Sequence, residues 1–185
     1  MSAEIIPLTP PLNDEVTTSL RAGDAVRIDG TIYVARDAAH KRLVAALSAG
    51  EPLPFDPAGQ VIYYMGPSPA RPGQPIGAAG PTTSYRMDPY TPAMLQAGVK
   101  AFIGKGQRGD EVRLALQEHR ALYLIATGGA GALIAQSILQ AEVVAYPDLG
   151  PEALRRLKVR GFPATVGCDT LGNDVYQIGR AQYRR

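Results

Sequence analysis

Gly80-Pro81-Thr82-Thr83-Ser84-Tyr85-Arg86-Met87-Asp88 packs hydroxyls, a guanidinium and a carboxylate into nine residues behind a Gly-Pro turn. Two more cations, Arg36 and Lys105, fall where the pattern puts loops or element ends. Arginine grips a carboxylate as a fork and lysine as a point charge. If the fold gathers them, Arg36, Arg86 and Lys105 suit a small molecule with two carboxylates. Taken singly, each would also serve as a solvated surface charge.

Lys105 lies in Gly104-Lys105-Gly106-Gln107-Arg108-Gly109, a literal G-x-G-x-x-G between a strand and a helix. A dinucleotide site of that kind needs an acid at the end of the next strand, for the ribose hydroxyl. Between Arg120 and Gln140 there is no Asp or Glu, which argues against NAD or FAD. The loop reads instead as an anion cradle of another kind. Glycine lets the backbone approach a ligand, the helix start offers free N–H groups, and Lys105 adds a charge. Ala126-Thr127-Gly128-Gly129-Ala130 makes a second such turn, unless its small residues serve packing alone.

The elements that must position these residues follow from periodicity. Residues 1–20 read as an extended N-terminal arm around Pro7, Pro10 and Pro11. Ala25–Ile28 and Thr31–Val34 flank Asp29-Gly30, a hairpin signal. A helix follows, capped by Asp37 and stopped at Gly50, with His40, Leu43, Val44 and Leu47 on one stripe. Val61–Met65 is a strand, and Gly66 to Asp88 a long Pro/Gly loop of the functional sort. Thr91-Pro92 opens a short helix with Thr91 as its cap. Then come a strand over 100–103, a helix over 109–120 with His119 on its buried face, and a strand over 122–126. A helix over 129–139, a strand over 143–146, a helix over 151–157 and a strand over 164–168 complete the chain. The sum is one α/β domain over 1–185, antiparallel in its first half and parallel βαβ in its second.

With 185 residues, 45% hydrophobic and 19% charged, the chain suits a globular protein with a proper core. A net charge of +2 and no strong basic run speak against nucleic acid. No apolar stretch approaches a membrane span, and the N-terminus lacks a signal-peptide pattern, so a cytoplasmic location is expected. The one cysteine, Cys168, excludes an internal disulfide. It also excludes an iron–sulfur or other thiolate metal site built by this chain alone, and it reads as a small core residue.

The nine-residue stretch resembles the G-P-T-T-x-x-R-M-[DE] signature of the β subunit, or C-terminal domain, of class I iron–sulfur fumarate hydratases and L-tartrate dehydratases. Agreeing in order are Gly23-Asp24, Ala35 to Lys41, Gly104-Lys105-Gly106, Ala126 to Ala130, Asp148-Leu149-Gly150, and Asp169 with Gly172-Asn173-Asp174. The likeness spans residues 5 to 178. It implies a swivelling β/β/α domain of three layers and a partner α subunit bearing a [4Fe-4S] cluster on three cysteines. It also implies reversible hydration of fumarate to L-malate, with the open iron as Lewis acid. By position, Thr82 matches the catalytic residue handling the C–H proton, and Arg36, Arg86 and Lys105 the substrate carboxylate clamp. His40, Thr83, Asp88, Gly128 and Gly129 match supporting positions. Read from the residues, His40 is buried and steadies Arg36, while Asp88 orients Arg86 or caps a turn.

Two other readings remain: the β subunit of an L-tartrate dehydratase, and a non-catalytic module that binds small carboxylates. The hydratase reading expects a hetero-oligomer, or a homodimer when the chain is isolated.

Overall fold

A computed structural model describes residues 5–184. Its strands are β1 (Ile5–Leu8), β2 (Ala25–Val34), β3 (Val61–Tyr63), β4 (Ala101–Gly104), β5 (Leu122–Ile125), β6 (Ile138–Ala145) and β7 (Leu154–Cys168). Its helices are α1 (Asp14–Ser19), α2 (Asp37–Ser48), α3 (Thr91–Gln96), α4 (Asp110–Glu118), α5 (Gly131–Ala135) and α6 (Val175–Tyr183), with two 3-10 segments at Ser84–Tyr90 and Pro147–Glu152.

The strands form one sheet of seven in the order β1-β2-β3-β4-β5-β7-β6, with β2 also paired to β7. From β1 to β5 every neighbouring pair is parallel, because each strand is followed by a helical crossover before the next. β7 runs antiparallel to β5, β2 and β6. The pairings β2–β3–β4–β5–β7–β2 therefore close a ring, which among the described residues leaves β1 and β6 as edges.

Side chains alternate across β3, β4 and β5. Val61, Tyr63, Ala101, Ile103, Leu122 and Leu124 join one core, with Ile28, Ile32 and Phe162. Ile62, Tyr64, Phe102 and Tyr123 face a second core, covered by Ala39 and Leu43 of α2, Met94 and Leu95 of α3, and Val112 and Leu116 of α4. Strands buried on both faces read as continuous apolar runs, which is how 61–65 and 122–126 look in the sequence.

Several expectations are corrected. The parallel part is the first half and the antiparallel part the second, the reverse of the reading from sequence. Asp29-Gly30 is no hairpin: β2 runs straight through, with an irregularity between Ile28 and Gly30, and Asp29 Oδ1 accepts from Gly161 N at 2.8 Å. Of the expected arm, Ile5–Leu8 is extended but paired in the sheet, and residues 14–19 are helical; residues 1–4 lie outside the described residues. The helix over 129–139 shrinks to α5, the strand over 143–146 extends back to Ile138, and the helix over 151–157 is replaced by the end of a 3-10 segment at Glu152 and the start of β7 at Leu154. Pairing with β2 and β6 overrides the helical preference of Leu154-Arg155-Arg156-Leu157. α6, which the sequence reading lacks, follows β7.

Candidate functional site

Parallel strands end side by side, and the carboxyl ends of β2, β3, β4 and β5 bring the expected residues to one rim. Arg36 follows β2 and Lys105 follows β4. Thr82 N donates to Tyr64 O at 2.7 Å just beyond β3, and Lys105 N donates to Thr82 O at 3.2 Å. Ser84 N donates to Lys105 O at 2.9 Å. Residues 81–83 are thus stitched to the ends of β3 and β4, Pro81 bridging to Met65 and Thr83 to Lys105, and the 3-10 segment follows at once.

Asp37 draws the two arginines together. Its Oδ1 accepts from Arg86 Nε at 3.0 Å, and its Oδ2 lies 3.6 Å from Arg36 Nη2. Glu152 Oε1 stands 3.4 Å from the same Nη2, while its Oε2 accepts from Ala38 N at 2.9 Å. Glu152 therefore caps the free amides at the start of α2 from a distant segment. Arg36 holds the N-cap position of that helix, so Asp37 lies in the first turn and is not the cap. A Cβ at Gly66 would sit 2.7 Å from Arg36 Nη1, so any larger residue there would push that guanidinium aside. Lys105 lies across the second glycine turn, where a Cβ at Gly128 would touch its Cδ at 3.4 Å.

Arg86, Lys105, Gly128 and Gly129 are exposed and Thr82 and Thr83 half-buried, so the rim is an open edge. Among the described residues, Thr82 Oγ1, Lys105 Nζ and the outer nitrogens of Arg86 have no protein partner. Behind them Arg108, Asp88 and Thr91 are paired, while buried Arg36 Nε, Asp37 Oδ2 and His40 Nε2 make no hydrogen bond. A surface hollow of roughly 510 Å³, bordered by Thr127, Ala130, Leu133 and Arg160, opens beside the glycine turn.

His40 sits behind the rim, fully buried on α2. Its Nδ1 donates to the Arg36 carbonyl at 2.9 Å, and its ring meets Tyr64 edge-on and stacks on Tyr90. Burial holds its pKa down at about 4, against the bond to Arg36 O, so the imidazole is neutral. Arg108 is not a rim cation: its side chain is buried, with Asp88 as partner. Asp88 therefore does not orient Arg86. Its Oδ1 accepts from Arg108 Nε at 2.7 Å and its Oδ2 from Gly109 N at 2.8 Å, so it caps the start of α4. Likewise Thr91 donates to Met87 O instead of capping α3. The sequence reading misses Arg108, Glu152 and Tyr123; a lone arginine inside a glycine loop is the available signal for the first.

Residues 2–179 match the family model described as fumarase C-terminus. A Geobacillus stearothermophilus protein provisionally named fumarate hydratase class I is 39% identical over 94% of this chain and 34% of its own length. The anaerobic class I fumarate hydratase of Escherichia coli K12 is 42% identical over 81% of this chain and 28% of its own. A Methanocaldococcus jannaschii protein provisionally named L(+)-tartrate dehydratase subunit beta is 36% identical over 85% of this chain and 84% of its own. The chain thus spans about a third or less of these fumarate hydratases, and most of the tartrate dehydratase subunit.

Proposed function

The chain belongs to the fumarase C-terminus family, and on that premise we propose that it is the β subunit of an iron–sulfur hydro-lyase that, with an α subunit, hydrates fumarate reversibly to L-malate. The observation that carries the reading is the rim where Thr82 Oγ1, Lys105 Nζ and the outer edge of Arg86 have no partner among the described residues. In this reading Arg36 and Arg86 hold carboxylate oxygens in forks, and Lys105 holds the other end by charge. Thr82 Oγ1 takes the proton from the carbon next to the one bearing the hydroxyl, and returns it in the reverse direction. A threonine is a weak base, so the neighbouring cations must favour its alkoxide, and a partner carboxylate must carry the proton onward.

The cluster that this family implies does not fit the residues of this chain. Cys168 is its one cysteine, buried on β7, and burial pushes its thiol up to about 12, so it offers no thiolate. In this reading the cluster belongs to the α subunit. The swivelling β/β/α description belongs to the same proposal, supported by the closed ring of strands and the helices that cover its outer core. An open rim is what a site completed by a second protein would present.

The test is anaerobic reconstitution with the cluster-bearing α subunit, assayed on fumarate and L-malate. Thr82→Ala is expected to cut turnover by about 10²- to 10⁴-fold while the two chains still co-elute. Near-normal turnover of that variant would remove Thr82 from the chemistry. The long coverage of the Methanocaldococcus protein favours a second reading, the β subunit of an L-tartrate dehydratase. Rates on L-tartrate against L-malate separate the two.

A further inference from the structure

Arg108 is the fourth cation of the region, and the rim does not use it. Its side chain is fully buried, so it cannot touch a ligand at the open edge. Its Nε donates to Asp88 at 2.7 Å, its Nη2 to Thr91 Oγ1 at 2.5 Å and its Nη1 to Tyr64 OH at 3.4 Å. The guanidinium lies among the rings of Tyr64, Phe102 and Tyr123, 5.5, 5.9 and 5.1 Å from their centroids. Three segments therefore converge on one planar group: the 3-10 turn carrying Arg86 and Asp88, the start of α3, and the loop carrying Lys105.

A second tie runs parallel to the first. Ser84 Oγ donates to Tyr123 OH at 2.8 Å, and Tyr123 OH donates to Gly106 O at 2.8 Å. Ser84 approaches so closely that any Cβ at Gly104 would collide with its Oγ. Both ties join the 80–88 stretch to the 104–109 loop, on either side of the backbone bonds Ser84 N to Lys105 O and Lys105 N to Thr82 O.

We propose that Arg108 is a positioning residue that fixes the spacing between the Arg86 guanidinium and the Lys105 ammonium, and with it the length of dicarboxylate that the rim accepts. The length selection rests on the function proposed above; the clamp does not. A planar fork with five fixed donors suits a junction of three segments, where a lysine offers one flexible point.

Amide hydrogen exchange on the isolated chain tests the clamp itself, with Asp88→Asn and Arg108→Lys as mild variants beside Arg108→Met. The amides of Ser84, Lys105 and Gly109 are expected to exchange about tenfold faster or more, while those of β7 keep their protection. Unchanged exchange at these three amides, or a rise shared equally by β7, overturns the clamp. In the assembled two-chain enzyme, Arg108→Lys is expected to raise KM for fumarate and L-malate about tenfold with a much smaller change in kcat. It should also lower the ratio of the inhibition constants of glutarate and succinate, because a looser spacing tolerates the longer acid. Lost stability with KM and that ratio unchanged overturns the positioning role. Local exchange gains in a chain whose assembled form turns over neither fumarate nor tartrate leave the clamp standing and remove the functional reading instead.

Discussion

Arg86 and Arg108 each bond an aspartate through Nε, at 3.0 and 2.7 Å, yet they serve opposite ends. The Arg86 side chain is 47% exposed and leans on Asp37 from one edge, so its outer nitrogens face outward. The Arg108 side chain is 0% exposed, and every direction of its fork meets a protein group or a ring face. A cation out of water must be fully matched, and once matched it is committed. A cation at an edge stays available, and its ion pair adds little to stability. Burial, more than bond length, sorts the charges of this region into those that build the site and those that act in it.

The sharpest way to break that comparison is to remove each head group. Arg108→Met should cost about 3–5 kcal/mol of folding stability, because Asp88 then loses its buried partner. Arg86→Met should cost less than about 1 kcal/mol, its pair being half-exposed. Urea midpoints on the isolated chain decide the matter, and equal losses would end the distinction.

His40 extends the comparison to a buried group with no counter-ion. Burial, with the Arg108 charge adding to it, keeps the ring neutral down to about pH 4, whereas in the unfolded chain it takes up a proton near 6.5. The unfolded state therefore binds more protons between those values, and stability is full above 6.5 and falls as pH drops towards 4. The loss across that window is about 3 kcal/mol, since each pH unit between the two values is worth roughly 1.4 kcal/mol. His40→Asn keeps a donor for the Arg36 carbonyl and should flatten that part of the stability profile. An unchanged slope would mean that His40 takes up its proton at the same pH in the fold as in the unfolded chain.

How far the sequence shows this division is uneven. The rim is readable: the 80–88 stretch, the glycine turns and the strands over 61–65 and 122–126 carry local signals, and the parallel strands bring their ends together. Asp29-Gly30 misleads because a local turn signal is absorbed into β2, whose long pairing with β7 is set by residues more than 120 positions away. The residues 154–157 mislead for the same reason, since helix-favouring side chains lie in a strand held from both edges. Arg108 is hidden because nothing in its sequence neighbours reveals burial. Its partners Asp88, Thr91, Tyr64 and Tyr123 come from four other segments.

A gentler substitution sharpens the role of the exposed member. Arg86→Lys keeps the charge but loses the fork, so the assembled enzyme should show KM raised about tenfold, with folding stability unchanged. An unchanged KM would show that Arg86 acts on substrate as a charge alone, or not at all.

The smallest expected effect is the most direct check on burial as the sorting variable. Arg42 and Asp148 form a bidentate pair, with contacts of 2.9 and 2.5 Å, that joins α2 to the segment before β7. By distance alone it should rank with Arg108–Asp88. Its side chains are 42% and 60% exposed, however, so water screens the attraction and already solvates both ions when they part. Arg42→Ala should therefore leave the urea midpoint of the isolated chain within error of the parent. A loss comparable to that of Arg108→Met would mean that fork geometry, not exclusion of water, decides which ion pairs hold this fold.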